Sequence, residues 1–163
     1  MSIKELIVVE LALYSWREGK RLVPGISRPA WRGIAHVLAN RLRAGFWESD
    51  WLKILAEAPK HAPNLPEQMD FRTLPEHWDR DFRAHLDDCE KIYELRLEDD
   101  ITVSANPTPN YVTGTGNPRS GLYYANLLKI TSPWFQDKIV NHLEDHPRTA
   151  EISGGEGNLV FFG

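Results

Sequence analysis

Apolar residues recur along the first part of the chain at the spacing of helix faces. In residues 2–16, Leu6, Val9, Leu13 and Trp16 follow one another at helical steps, and Gly19 stands just beyond as a stop signal. Residues 22–28 hold Pro24 and Gly25 and read as a loop, after which Pro29 suits the first turn of a second helix. That helix carries a buried stripe of Trp31, Ile34, Ala35, Leu38 and Leu42. Ser49 reads as the N-cap of a short third helix with Trp51, Leu52, Ile54 and Leu55, and Pro59 ends it.

Pro59, Pro63 and Pro66 then make a loop. From Pro75 onward, Trp78, Phe82, Leu86, Cys89, Ile92 and Tyr93 share one helical face, while Asp79, Arg80, Arg83, Asp87 and Glu90 take the others. Residues 99–120 are rich in Thr, Asn, Pro and Gly, and a loop of that length is usually functional. Residues 122–126 read as a strand. Residues 133–146 read as a helix with Trp134, Phe135, Ile139, Val140 and Leu143 inward, and 149–152 and 159–162 as two more strands. Helices first and strands late predict an α+β fold, a mostly helical body with a small antiparallel sheet from the C-terminal third. At 163 residues and 42% hydrophobic content, the expectation is one domain over 1–163.

Charge narrows the function. A net charge of −4, with no basic run, argues against a nucleic-acid partner. Lys4, Glu5 and Glu10 interrupt the first apolar stretch, so neither a signal peptide nor a membrane span is expected, and synthesis in a cytoplasm follows. The single cysteine, Cys89, lies on an apolar stripe and reads as a buried, inert thiol. Among six histidines only His142 and His146 are spaced i, i+4, with no third ligand marked, so neither a metal nor a cofactor is expected. Thr113-Gly114-Thr115-Gly116 lacks the lysine and the following helix of a phosphate loop.

Five segments in order carry a resemblance: Trp16-Arg17-Glu18, the helix at 33–42 with Asn40-Arg41, Tyr123-Tyr124-Ala125-Asn126, Pro133-Trp134-Phe135, and the closing Phe161-Phe162. Together they resemble the SleB-type cell wall hydrolase family, including its phage-borne members. The resemblance implies a lysozyme-like fold and cleavage of a peptidoglycan glycan strand by Glu18 as a lytic transglycosylase. It also implies action on the cell wall after release from the cell or as part of a virion, with phage virion proteins as partners. Two positions depart from the family pattern. Gly19-Lys20-Arg21-Leu22 stands where relatives carry Ala-Arg-Gly-Glu, so the second acidic residue is missing, and Leu122 or Tyr123 replaces a histidine before the aromatic pair.

Breaking a glycosidic bond needs a carboxyl that delivers a proton near neutral pH. At the end of the first helix Glu18 would face the negative pole of the helix dipole, with Trp16 or Tyr14 shielding it, and both effects favour the protonated form. Arg17 would oppose this if its side chain folded back. A hydrolase would want a second carboxylate about 5–10 Å away. Asp99 and Asp100 are candidates, whereas Glu10 lies roughly 12 Å up the helix axis. Tyr123, Tyr124 and Asn126, with Trp16, are the candidate substrate contacts. Neighbouring strand residues face opposite ways, so one tyrosine of the pair belongs to the groove and the other to the core, and Asn126 shares the side of Tyr124. The alternative role for Asn126 is a turn at a strand end. Asn40 and Arg41 read as supports of the fold. The rival functions are a non-catalytic glycan-binding or structural virion protein, motivated by the missing acid, and a regulatory domain unrelated to cell walls.

Overall fold

The computed structural model describes residues 2–26, 28–61, 80–94, 111–113, 121–153 and 156–163, and expectations for Trp78, Asp99 and Asp100 lie outside them. The first helix, α1, spans Ile3–Leu22. It opens on a capping box: the Glu5 amide donates to Ser2 Oγ at 3.1 Å and the Ser2 amide to the Glu5 carboxylate at 3.0 Å. Gly19 does not stop it. A Cβ at Gly19 would sit 2.4 Å from Trp31 Cδ1, so the glycine is what lets α1 lie close against α2, Arg28–Arg43. The face expected from Leu6, Val9, Leu13 and Trp16 is only part of what is buried. Leu6 is 39% exposed, while Ile7, Leu11, Tyr14, Ser15 and Glu18 are covered, because α1 packs against more than one neighbour.

Of the stripe expected in α2, Trp31, Ile34, Ala35 and Leu38 are buried and Leu42 is half-buried, while Val37 and Ala39 off the stripe are buried as well. After it, Gly45 takes φ 85°, and a 3-10 turn at Phe46–Ser49 holds Trp47, Glu48 and Ser49 at φ 46°, 61° and 56°. Ser49 therefore cannot cap the next helix. Asp50 does so instead, accepting from the Leu52 amide at 2.9 Å at the head of α3, Trp51–Glu57. Only Ile54 of that helix is buried, and Leu52 is exposed. The fourth helix, α4, Arg80–Tyr93, buries Phe82, Cys89 and Ile92 against α1 and α2. His85 and Ser15 are bonded across that interface at 2.7 Å, Nε2 to Oγ.

Among the described residues four strands form one antiparallel sheet: β1 Tyr111–Thr113, β2 Tyr123–Asn126, β3 Arg148–Ser153 and β4 Asn158–Phe162, in the order β1-β3-β4-β2. The expected long loop thus contains β1. Phe161 and Phe162 are fully buried on either face of the inner strand β4, one in the main core and the other in a smaller cluster with Ile139 and Val160. Between β2 and β3 the expected helix over 133–146 is shorter. A helix, α5, Pro133–Phe135, capped by Ser132, runs into a π-turn at Gln136–Val140, where the Asn141 amide reaches back five residues to the Gln136 carbonyl at 3.0 Å. The wider turn ends the regular spiral, and Trp134 before it and Leu143 after it are 58% and 46% exposed instead of inward. The architecture is α+β, mostly helical with a small antiparallel sheet near the C-terminus.

Candidate active site

On α1 the positions of Tyr14, Glu18, Arg21 and Leu22 fall on one helix face. That face looks onto β2 across a cavity of about 650 Å³ that all four residues line. Glu18 is only 2% exposed. Its Oε2 accepts a hydrogen bond from Tyr124 Oη at 2.6 Å, and its Oε1 pairs with Arg21, at 3.0 Å to Nε and 2.9 Å to Nη2. Tyr14 Oη lies 2.5 Å from Tyr124 Oη. The one hydroxyl proton of Tyr124 goes to Glu18, so Tyr14 is the donor to Tyr124. The result is a chain of donors, Tyr14 to Tyr124 to Glu18, converging on one carboxylate.

Burial, and after it the charge of Glu18, push both phenols above the usual tyrosine range. Both hydroxyls therefore stay protonated and keep donating at neutral pH. The helix continues past Glu18 to Leu22, so the residue lies inside the last turns and not at the lip. Its countercharge is Arg21, three residues on, instead of Arg17. A side chain at i+3 stacks on the same helix face, while an adjacent residue points about 100° away. Arg21 is in turn anchored by Lys129, whose Nζ donates to the Arg21 carbonyl at 2.9 Å.

Tyr123 and Tyr124 point to opposite faces of β2, as alternation requires, yet both border the cavity, so the expected division into one groove residue and one core residue does not hold: β2 lies at the sheet's edge among the described residues, and both side chains reach the cavity from it. Tyr124 faces α1. Tyr123 sits among Phe46, Phe135 and His146, with ring centroids 6.4, 6.4 and 5.3 Å away, and the Arg41 guanidinium lies 5.6 Å from its ring. Asn126 shares the side of Tyr124, and its amide is fully engaged. Nδ2 donates to the Leu22 and Glu156 carbonyls at 2.8 and 3.0 Å, and Oδ1 accepts from the Leu128 amide at 3.0 Å. It ties the end of α1 to β2 and the loop before β4, the turn-forming role.

Trp16 is brought elsewhere. Two residues before Glu18 it is turned about 200° round the helix, and it packs edge-on against Phe82 at 5.7 Å, away from the cavity lining. Glu10 is exposed and remote. Asn40 and Arg41 support the fold by donating to the Gly121 and Leu122 carbonyls at 2.9 and 2.8 Å. His146 Nδ1 donates to the Gly163 carbonyl, 2.8 Å away, and among the described residues no group of three metal-ligating side chains occurs. No helix of the described residues is long and apolar enough to cross a membrane. Cys89 is buried, and burial, then the Asp88 charge, raise its thiol well above the ordinary range, leaving it unreactive.

Several lining residues had no sequence motif of their own. Tyr14 and Arg21 were legible as i−4 and i+3 neighbours of Glu18. Phe46 and Trp47 line the cavity from the turn that follows the left-handed Gly45, and Trp134 lines it from the short α5, placements that no local pattern announces. No family model, curated protein or solved structure matches this chain.

Proposed function

We propose that the cavity is the active site of a peptidoglycan glycosidase with a lysozyme-like fold, of the kind carried by phages and prophages. Its reaction is lytic transglycosylation of the β-1,4 bond between N-acetylmuramic acid and N-acetylglucosamine. The observation that carries this reading is a single buried carboxylate, Glu18, opening onto a cavity walled by Phe46, Trp47, Tyr123 and Trp134. Aromatic faces stack on sugar rings, and a lone acid suits a reaction that uses one carboxyl twice. The ordered resemblance of the five sequence segments points to the same chemistry.

In the first half Glu18 gives its proton to the glycosidic oxygen, the bond from that oxygen to the muramic C1 breaks, and the glucosamine end leaves with a new hydroxyl. In the second half the muramic C6 hydroxyl attacks C1, and its proton returns to Glu18, closing a 1,6-anhydro ring with no water consumed. Tyr124 holds Oε2 in both halves. Arg21 is a partner for the carboxylate, the form the second half needs, and its contact with Oε1 must open for Glu18 to carry the proton of the first. Among the described lining residues Glu18 is the only acid, so the pair of carboxylates that a hydrolase requires is not supplied by them.

The closed Arg21–Glu18 pair is what favours the rival reading, a glycan-binding protein without chemistry. Clearing of a peptidoglycan suspension separates the two. Glu18→Gln should lower the rate by at least about a thousandfold, the scale of losing a general acid that also acts as base. Equal clearing by both proteins would remove Glu18 from the mechanism. Binding without any cleavage by the unsubstituted protein would leave the rival.

A further inference from the structure

The cavity carries four cationic side chains, Arg21, Arg41, Lys60 and Lys129, against the single carboxylate of Glu18, in a chain whose net charge is −4. Arg21 is matched by Glu18, and Lys60 by Glu57 at 2.9 Å. Arg41 and Lys129 are held differently. Arg41 Nε donates to the Leu122 carbonyl at 2.8 Å and its guanidinium lies against Tyr123, while Lys129 Nζ donates to the Arg21 carbonyl at 2.9 Å. Among the described residues no carboxylate pairs with either. Each is thus oriented by a neutral backbone oxygen and keeps its charge for the cavity. The Arg41 charge reaches the floor, where it acts on both Tyr14 and Tyr124.

A neutral sugar chain would stack on the aromatic walls but leave these two charges unmatched. Fixed cations beside aromatic walls, in a space partly screened from water, select a ligand that is at once a sugar and an anion. We infer that Arg41 and Lys129 form a carboxylate subsite that takes the free carboxylates of the peptide substituent on the muramic sugar. This rests on the glycosidase reading and goes further: the enzyme would select peptide-bearing glycan over bare glycan.

The test uses the unsubstituted protein and a soluble N-acetylglucosaminyl-N-acetylmuramyl peptide, which lacks the scissile bond, followed by the fluorescence of Trp47 and Trp134 at the cavity. The same fragment with its carboxylates blocked as methylamides is the control. Free carboxylates should bind at least about tenfold more tightly, the scale of one charge-assisted hydrogen bond, and added salt should erase the difference. In Arg41→Gln and Lys129→Gln, each checked for folding by circular dichroism, the preference should fall below about threefold on the same scale, and Arg41→Lys should retain part of it. If Arg41→Gln does not fold, Lys129→Gln alone carries the test. Equal affinity for free and blocked fragments, with peptidoglycan still cleaved, would overturn the subsite and leave the glycosidase. No affinity for either fragment and no cleavage would overturn both.

Discussion

Removing the Tyr124 hydroxyl should destabilise the protein far more than removing that of Tyr14, and removing both should cost less than the sum. In Tyr124→Phe, Glu18 loses a donor at 2.6 Å, a bond to a charged group that contributes about 1.5–3 kcal/mol. The Tyr14 hydroxyl, in a side chain 6% exposed, also loses its acceptor, which adds about 1 kcal/mol or more. The total is about 3 kcal/mol, or a fall in melting temperature of roughly 6–12 °C for a chain of this size. Tyr14→Phe removes one neutral bond and leaves Tyr124 donating to Glu18, so it should cost about 1 kcal/mol. With both rings bare no hydroxyl is stranded, and the double variant should cost about 2–3 kcal/mol, so the single effects overshoot by about 1–2 kcal/mol. Urea denaturation of the four proteins at neutral pH measures the cycle. Strict additivity, or a Tyr124→Phe protein within about 0.5 kcal/mol of the parent, would refute the donor chain.

Acid should weaken the fold through His85, whose buried ring is pushed down to about 3 by desolvation, then by the Arg28 and Arg32 charges. The unfolded chain binds that proton near pH 6.5 and the folded one does not, so the contribution of His85 is complete above about 6.5 and is lost as pH falls toward 3. Stability measured between pH 7 and 4 should fall less steeply in His85→Gln than in the parent, and parallel slopes would remove His85 as the cause. Gly19→Ala drives a methyl to within 2.4 Å of Trp31 Cδ1 and should cost about 1–3 kcal/mol in thermal unfolding, whereas a neutral result would mean α1 and α2 are not in close contact. Asn126→Ala strands the Leu22 and Glu156 carbonyls and the Leu128 amide and should cost about 2–4 kcal/mol. An Asn126→Ala protein of unchanged melting temperature would move that residue from a structural role to a ligand contact.

In α2 and α4 the hydrophobic pattern predicted the element and the centre of its buried face, although each helix packs against more than one neighbour and also buries residues off that stripe, Val37 and Ala39 in α2 and His85 in α4. It failed where tertiary contact changed the rules. Gly19 looks like a terminator from sequence because glycine ends helices, yet here it is a point of close approach to Trp31, which lies beyond any local window. Ser49 and Asp50 are both good caps, and only the left-handed backbone that begins at Gly45 decides for Asp50. The helix expected over 133–146 fails because a π-turn shifts the phase of the pattern at Gln136, and apolar spacing does not announce it. At the site, the opposed directions of Tyr123 and Tyr124 and the position of Asn126 beside Tyr124 followed from alternation, but the inference that only one tyrosine would reach the groove did not hold, since both line the cavity. Trp16 was misplaced because nearness in sequence was read as nearness in space, although a step of two residues on a helix turns a side chain to the far side.

Tyr14 and Glu18 meet Tyr124 across 110 and 106 residues of chain, and among the described residues β4 is the one strand paired with β2. The contacts among α1, α2 and α4 close shorter loops and form more easily, since long loops delay the pairings that depend on them. The expectation is that the helical body forms first and the carboxylate's partners dock last. A chain caught between these stages would show helical circular dichroism while Glu18 lay open to water beside Arg21, with neither the tyrosine donors nor the aromatic walls in place. Closure of the cavity, followed by tryptophan fluorescence, and helix content should therefore recover at different rates after dilution from denaturant, and the lag between them would time the docking of β2.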